Sequence, residues 1–249
     1  MDGQPGDRIS VVIPTLNEAA MIVASVTSAF DAGADEVIVV DGGSNDATVV
    51  MAKAAGATLV HAGRGRGVQL RAGAAAATCD VLLFLHADAI ITADACREGR
   101  QLMMSPGCAA VAFRLRIDGD RWMYRVIEAV ANWRSRWLRL PYGDQGLLVQ
   151  RRHYDDAGGF DAVVLMEDVA IVRRLRKRGR VLLARSSVTV SARRWQAGGA
   201  MWSSLVNVGC LLGYAVGVSP ERLTGWRDRA TAKRCGANVD AQKTRGVME

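Results

Sequence analysis

Cysteine is sparse in this chain and shows no pairing pattern. Five occur in 249 residues, Cys79, Cys96, Cys108, Cys210 and Cys235, an odd number with no C-x-x-C spacing. That argues against a disulfide framework or a thiolate zinc site, and a reducing cytoplasm fits best. A dinucleotide fingerprint is also missing. Pro14-Thr15-Leu16-Asn17-Glu18 stands after the first apolar run, where a Rossmann unit needs G-x-G-x-x-G. No glycine- and lysine-rich phosphate loop accompanies that run. The start, MDGQPGDR, is polar and lacks the apolar core of a signal peptide. No multi-span membrane region, internal repeat or clear linker is present. Ala200–Val218 approaches the length of one membrane span, but Ser203, Ser204, Asn207 and several glycines interrupt it.

Hydrophobic residues make up 50% of the chain, enough for a sizeable core. The length suits one large domain or a compact α/β unit with an appendage. We expect a main domain over 1–198 and a C-terminal helical segment with a polar tail over 199–249. The formal charge of +7 favours anionic partners: phosphorylated small molecules, acidic lipid surfaces or nucleic acid.

Apolar runs alternate with helical patterns through the first half. Ile9–Ile13, Glu36–Val40, Thr58–His61 and Val81–Leu85 read as strands. Helices are expected from Asn17-Glu18 to about Ala32, over Ala47–Ala55, and from the Gly63–Gly67 loop to Ala77. Gly33 is expected to stop the first, and Asp46 or Ser44 to cap the second. This alternation predicts a parallel sheet with right-handed crossovers. The second half is less regular. Ala109–Ile117, Gly146–Gln150 and Arg180–Leu183 read as strands, and Val169–Arg178 as a basic helix closed by Gly179. Arg121–Arg139 has Trp122, Val126, Val130, Trp133 and Trp137 at helical spacing, with Arg121, Arg125, Glu128 and Arg136 on another face.

Three acidic positions stand at the ends or edges of apolar segments: Asp41, Asp88 and Asp168. Ligands of open α/β sheets bind beyond the carboxyl ends of the strands. Carboxylates delivered there from separate strands suit a nucleotide, a divalent metal and a general base. Asp41, in Asp41-Gly42-Gly43-Ser44, could hold a base or ribose, or simply cap an ordinary turn. Asp88, in His86-Ala87-Asp88, offers an oxygen to Mg²⁺ or Mn²⁺, with His86 as a second contact, or is a strand end without metal. Gly63-Arg64-Gly65-Arg66-Gly67, with Gln69 and Arg71, is a phosphate contact or a charged loop. Glu167-Asp168 is a favourable helix start or a base at a cleft. Arg193-Arg194-Trp195 is a diphosphate clamp or a solvated face.

The order of these motifs is more specific than any one of them. Val-Val-Ile-Pro-Thr-Leu-Asn-Glu, then Val-Val-Asp-Gly-Gly-Ser-Asn-Asp-Ala-Thr, then Phe-Leu-His-Ala-Asp, then Gly-Gly-Phe followed by Glu-Asp-Val, resembles glycosyltransferase family 2. The likeness spans roughly Ile9 to Trp195, and the His-Ala-Asp and Gly-Asp-Gln-Gly forms look like a branch of small, stand-alone bacterial members. It implies a GT-A fold: a mainly parallel, Rossmann-like sheet flanked by helices, here with a C-terminal helical appendage. The implied activity is inverting transfer of a sugar from a nucleoside diphosphate donor, UDP-linked by expectation, to an acceptor hydroxyl. The implied cofactor is a divalent metal, Mn²⁺ or Mg²⁺. Asp41 matches the residue that contacts the nucleotide base, Asp88 the last Asp of the D-x-D metal motif, and Asp168 the catalytic base, with Glu167 beside it. His86 replaces the first Asp of D-x-D. Pro14, Thr15, Asn17, Glu18, Ser44, Arg66, Arg71 and Ala87 are the further nucleotide contacts it implies. Asp144, Gln145, Arg194 and Trp195 are expected at the acceptor or diphosphate, Arg194-Trp195 resembling the end of the Q-x-x-R-W motif of processive members.

A nucleotidyltransferase acting on a sugar phosphate, an inactive pseudo-transferase and a non-catalytic nucleic-acid-binding module are the alternatives. The basic run from Arg173 to Arg178 motivates the last, although no nucleic acid is expected as partner. Arg121–Arg139 and Ala200–Val218 are core or homodimer-contact helices on one reading. On the other they lie at the cytoplasmic face of a membrane and serve a lipid-linked acceptor.

Overall fold

The structure, a computed structural model, describes residues 8–163, 165–193, 200–220, 222–227, 229 and 230. Two compact units appear. One carries all eight strands. The other carries the helix Ala200–Ala215 and the segment after it.

The first unit opens with β1 (Ile9–Thr15), α1 (Ile22–Asp31), β2 (Glu36–Asp41), α2 (Thr48–Ala54), β3 (Thr58–His61), α3 (Arg66–Ala76) and β4 (Val81–Phe84). β1 and β4 are buried at every residue, and β2 at all but its first. Strands covered on both faces read as unbroken apolar runs, which is why the sequence displays them so clearly. α1 begins later than expected, because Asn17 adopts a left-handed conformation at φ 56° and bends the chain before the helix. Gly33 ends α1 as anticipated, its N–H donating to the Phe30 carbonyl at 2.9 Å. α3 packs closely on the sheet. A Cβ at Gly73 would lie 2.3 Å from Val12 Cγ1 and 2.8 Å from Val40 Cγ2.

The second half adds β5 (Ala89–Ile90), α4 (Ala93–Met103), β6 (Cys108–Asp118), α5 (Trp122–Leu138), a 3₁₀ turn (Gly143–Gln145), β7 (Leu147–Gln150), α6 (Arg151–Asp156), α7 (Glu167–Leu175) and β8 (Arg180–Ser191). The sheet order is β3-β2-β1-β4-β7-β6-β8-β5. β1 to β4 are parallel, as expected. β7 then enters antiparallel between β4 and β6, and β5 runs antiparallel to β8. The sheet is therefore mixed at this end, although β6 and β8 run parallel to each other. β8 continues well past the expected Leu183, and α4, α6 and β5 are additions to the sequence-based assignment.

One core cluster lies around α3, β4, β7 and α7, where Phe84, Tyr154 and Phe160 form a ring cluster with centroids 4.8 to 5.9 Å apart. Cys79, Cys96 and Cys108 are buried thiols outside any disulfide, and Cys210 is buried as well. In the second unit, a Cβ at Gly209 or Gly213 of α8 (Ala200–Ala215) would come within 2.7 Å of Trp226 or Leu223 respectively. The glycines that break the apolar run are thus packing sites. Among the described residues no helix is long and apolar enough to cross a membrane.

Candidate active site

The carboxyl ends of β1, β2 and β4 lie along one edge of the parallel part of the sheet. Gln69, projecting from α3, ties two of these ends together. Its amide donates to the carbonyls of Thr15 and Val40, each at 2.8 Å. Pro14 and Thr15 close β1, and Thr15 Oγ1 is buried with no hydrogen-bond partner. Beyond them the β1 and β2 loops are laced together. Asn17 N–H donates to Ser44 Oγ at 2.9 Å, Asn45 N–H to Asn17 Oδ1 at 3.0 Å, and Glu18 N–H to Thr48 Oγ1 at 2.8 Å.

Asp41 sits at the end of β2, but its oxygens serve its own turn. They accept from Gly43 N–H at 3.0 Å and from Ser44 N–H at 3.0 to 3.1 Å, with His61 Nδ1 3.7 Å away. Burial opposes its charge, yet the hydrogen bonds from Ser44 and Gly43 and the nearby His61 hold the carboxyl below its ordinary value. The turn-capping role is therefore realised. The cap position of α2 is Ala47, which makes no side-chain cap bond; Asp46, expected there, stands one residue earlier, where its Oδ1 accepts from Thr48 N–H at 3.0 Å.

A second cluster gathers side chains far apart in sequence. Arg66, at the first turn of α3, is 33% exposed and binds Glu167 Oε1 through Nε, while its Nη2 lies 3.7 Å from Asp168 Oδ2. Its Nη1 is 3.2 Å from His86 Nε2. Arginine can only donate, so that nitrogen accepts and the His86 proton resides on Nδ1. Burial works against the Arg66 charge, but Glu167, Asp168 and Asp144 outweigh it and raise its pKa. Gly143 N–H donates to Asp168 Oδ2 at 2.8 Å. The approach is close at this glycine: a Cβ would stand 2.9 Å from His86 Nε2, so the imidazole would have to shift. Arg66, Phe84, His86, Tyr142, Gly143, Glu167, Asp168 and Val172 line one pocket.

The acidic pair opening α7 is divided in its surroundings. The Glu167 side chain is fully buried against Arg66 and its Oε2 has no hydrogen-bond partner; the Asp168 side chain keeps 15% of its surface exposed. Of the two, Asp168 is the carboxylate that a substrate in the pocket can reach. Asp88 lies between β4 and β5, 8% exposed, and no hydrogen bond to its carboxylate occurs among the described residues. Ala87 beside it is buried. No group of three or more His, Cys, Asp and Glu side chains forms a ready metal cage among the described residues. His86, expected as a second metal contact, turns Nε2 to Arg66 instead. A buried, unpaired carboxylate still fits Mg²⁺ or Mn²⁺, which take remaining ligands from water and phosphate oxygens.

The other expected contacts differ in their surroundings. Gln145 is wholly buried, so it cannot touch an acceptor directly. It organises the 3₁₀ turn instead: Ser135 Oγ and Tyr142 N–H donate to its Oε1, and its Nε2 donates to the Phe113 carbonyl at 3.0 Å. Asp144 is half-buried beside it, and Arg71 is exposed on α3. Arg194 and Trp195 lie outside the described residues. Ser135 and Tyr142, which meet at Gln145, were not among the expected site residues. Ser135 lies ten positions from Gln145 on another element, so no local pattern links them.

Residues 10–169 match the model of glycosyl transferase family 2. The chain belongs to that family. Among curated proteins it is similar to glucosyl-3-phosphoglycerate synthase of Mycobacterium tuberculosis, 37% identical over 97 residues, 34% of this chain and 30% of the relative. It is also similar to glycosyltransferase AglJ of Haloferax volcanii, 39% identical over 66 residues, 26% of this chain and 22% of the relative. The matches thus span under a third of the length of these relatives. Among solved structures, the Mycobacterium tuberculosis synthase in complex with Mn²⁺, UDP and glucosyl-3-phosphoglycerate superposes with a TM-score of 0.53 at 24% identity, covering 72% of this chain and 71% of that one. The same enzyme with Mg²⁺ and UDP gives 0.51 at 21% identity, covering 80% and 78%. Both likenesses are of fold, and the fold is GT-A.

Proposed function

We propose that this family member is an inverting transferase that moves a sugar from a UDP-linked donor to an acceptor hydroxyl, with Asp168 as base. The observation that carries this reading is the Asp168 carboxylate, held by the Gly143 amide and Arg66 at the mouth of a pocket while its neighbour Glu167 is buried. The nucleoside lies against the β1 and β2 ends, from Pro14 to Glu18 and Asp41 to Ser44. Asp88 would hold a divalent ion, which would supply charge compensation for the diphosphate. The fold neighbours crystallised with UDP and Mn²⁺ or Mg²⁺ support that donor and cofactor.

In the transfer, the acceptor oxygen bonds to the anomeric carbon from the face opposite the leaving group. Its proton passes to an Asp168 oxygen. The bond from the anomeric carbon to the diphosphate breaks, and its electron pair leaves with UDP. Gly143 and Arg66 fix the Asp168 oxygen, which suits a step governed by positioning. Calorimetry with UDP, with and without Mn²⁺, tests the donor site. Metal-dependent heat is expected. Heat with a different nucleoside diphosphate and none with UDP overturns the donor assignment.

A further inference from the structure

Helix α5 turns its apolar side away from the protein. Its inward face carries Tyr124, Ala131 and Ser135, all buried. The cause is the edge of β6. β6 pairs with β7 only through Ala112, and beyond it α5 takes over the strand's free backbone groups. Leu115 N–H donates to Asn132 Oδ1 at 2.8 Å, Asn132 Nδ2 to the Leu115 carbonyl at 3.1 Å, and Ile117 N–H to Glu128 Oε1 at 2.6 Å. Arg125 Nη2 reaches the Ile117 carbonyl at 3.0 Å. Covering a strand edge in this way fixes the rotation of the helix. The opposite side then presents Trp122, Val126, Val130, Trp133 and Trp137, exposed by 73%, 51%, 58%, 58% and 67%. Spacings of three and four align them as one stripe. Three of the chain's six tryptophans stand in it.

We propose that this outer face of α5 docks onto an anionic lipid bilayer. Residues 121–139 hold five arginines and one acid, Glu128, which faces inward. Arg121, Arg136 and Arg139 are exposed beside the stripe. Tryptophan favours the headgroup level of a membrane, and arginine stems reach from apolar surface to anionic headgroups. A second copy of the chain is a poorer occupant. An isologous contact would bring the two arginine sets together, with Glu128 turned inward and the exposed acids Asp118 and Asp120 confined to the entry of the helix. The same helix braces the candidate site. The Arg134 guanidinium lies 3.4 Å from the centre of the Tyr142 ring and donates to the Leu140 carbonyl at 3.1 Å. Ser135 holds Gln145, and the loop between them supplies the Gly143 amide to Asp168. Resting on the transferase reading, this junction joins the helix that meets the lipid surface to the loop that holds the base, which suits an acceptor hydroxyl carried at that surface.

Flotation of the full chain with phosphatidylglycerol or phosphatidylcholine vesicles tests the surface. Binding to the anionic vesicles that weakens with salt is expected. Exchanging Trp133 and Trp137 together for Ser should cut that binding about tenfold or more while leaving the thermal midpoint in place. A chain that stays soluble with anionic vesicles at low salt overturns the proposal. So does a double variant that floats as well as the parent, or a dimer, seen by light scattering, that the double variant breaks while the parent does not float. UDP calorimetry on the same preparations separates the two readings. UDP binding without flotation removes the lipid surface alone, and flotation without binding of UDP removes the donor assignment alone.

Discussion

Two neighbouring carboxylates, Glu167 and Asp168, face one guanidinium, and their burial assigns them different work. Burial pushes the Glu167 carboxyl up, Arg66 pulls it back, and Asp168 beside it adds to the rise. On the proposed reading Glu167 is a positioning residue, since its side chain is fully buried and bonds Arg66, which in turn lies beside Asp168. Asp168 has one oxygen on the Gly143 amide and the other on its own helix, at Val169 N–H, both at 2.8 Å. Replacing Asp168 by Asn keeps the size and removes the basicity. We expect UDP binding to persist and turnover to fall by about two to four decades, the range for a lost general base. Replacing Glu167 by Gln should instead lower the thermal midpoint, because Arg66 loses its buried counter-ion, and leave more activity than Asp168→Asn. A dead Glu167→Gln beside an active Asp168→Asn reverses the assignment. The measurements are single-turnover rates with a UDP-sugar and thermal unfolding.

Among the elements, α3 bears most directly on the site, since its first turn supplies Arg66 and its third residue on, Gln69, ties the β1 and β2 ends. Gly73 lets it approach Val12 and Val40, both fully buried. Gly73→Ala forces a methyl into that contact, and overpacking of this kind costs about 1–3 kcal/mol. For a chain of this size the thermal midpoint should fall by roughly 2–10 °C. An unchanged midpoint would mean that α3 does not set the spacing. The strands under α3 were legible because burial on both faces leaves continuous apolar runs. α4 was not read, although Ala95, Cys96, Gly99, Leu102 and Met103 follow helical spacing; its buried residues, Ala95, Cys96 and Gly99, are small and stand among charged ones. The direction of β7 left no mark either, since a four-residue apolar run reads alike both ways. α5 was legible as an amphipathic helix, but nothing local states that its polar side is needed at the β6 edge. At the site, the Asp168 motif was readable, whereas Gln145 was read as a substrate contact. Its partners Ser135 and Phe113 are assembled only by the fold.

At the scale of the whole first unit, two carboxylates staple distant segments at places where the sheet leaves amides unpaired. Glu36 on β2 accepts from Ser10 Oγ, from Thr78 N–H at 2.5 Å and from Thr78 Oγ1 at 3.0 Å, joining β1, β2 and the entry to β4. Glu98 on α4 serves a bulge in β8. The register passes from Ala112 opposite Leu183 to Arg114 opposite Ser187, so β8 has two residues more than β6 across this stretch. The freed amides of Arg185 and Ser186 both donate to Glu98 at 2.8 Å, and Ser186 Oγ adds a third bond at 2.6 Å. Burial opposes the charge on both glutamates, but these hydrogen bonds outweigh it and hold the two carboxyls below the ordinary value of 4.5. A carboxyl depressed on folding stabilises the native state above its unfolded pKa. That contribution is lost as pH falls through the lower folded value. The thermal midpoint should therefore be steady above about pH 5 and decline below the ordinary glutamate range. Exchanging Glu36 and Glu98 together for Gln should lower the midpoint at neutral pH, where the charged bonds are present. The two curves should converge towards about pH 3, where the parent's carboxyls are protonated as well. Thermal unfolding across a pH series decides it. Parallel curves for parent and variant would mean that the glutamates bind these amides without their charge contributing, and the acid sensitivity would then belong to other groups.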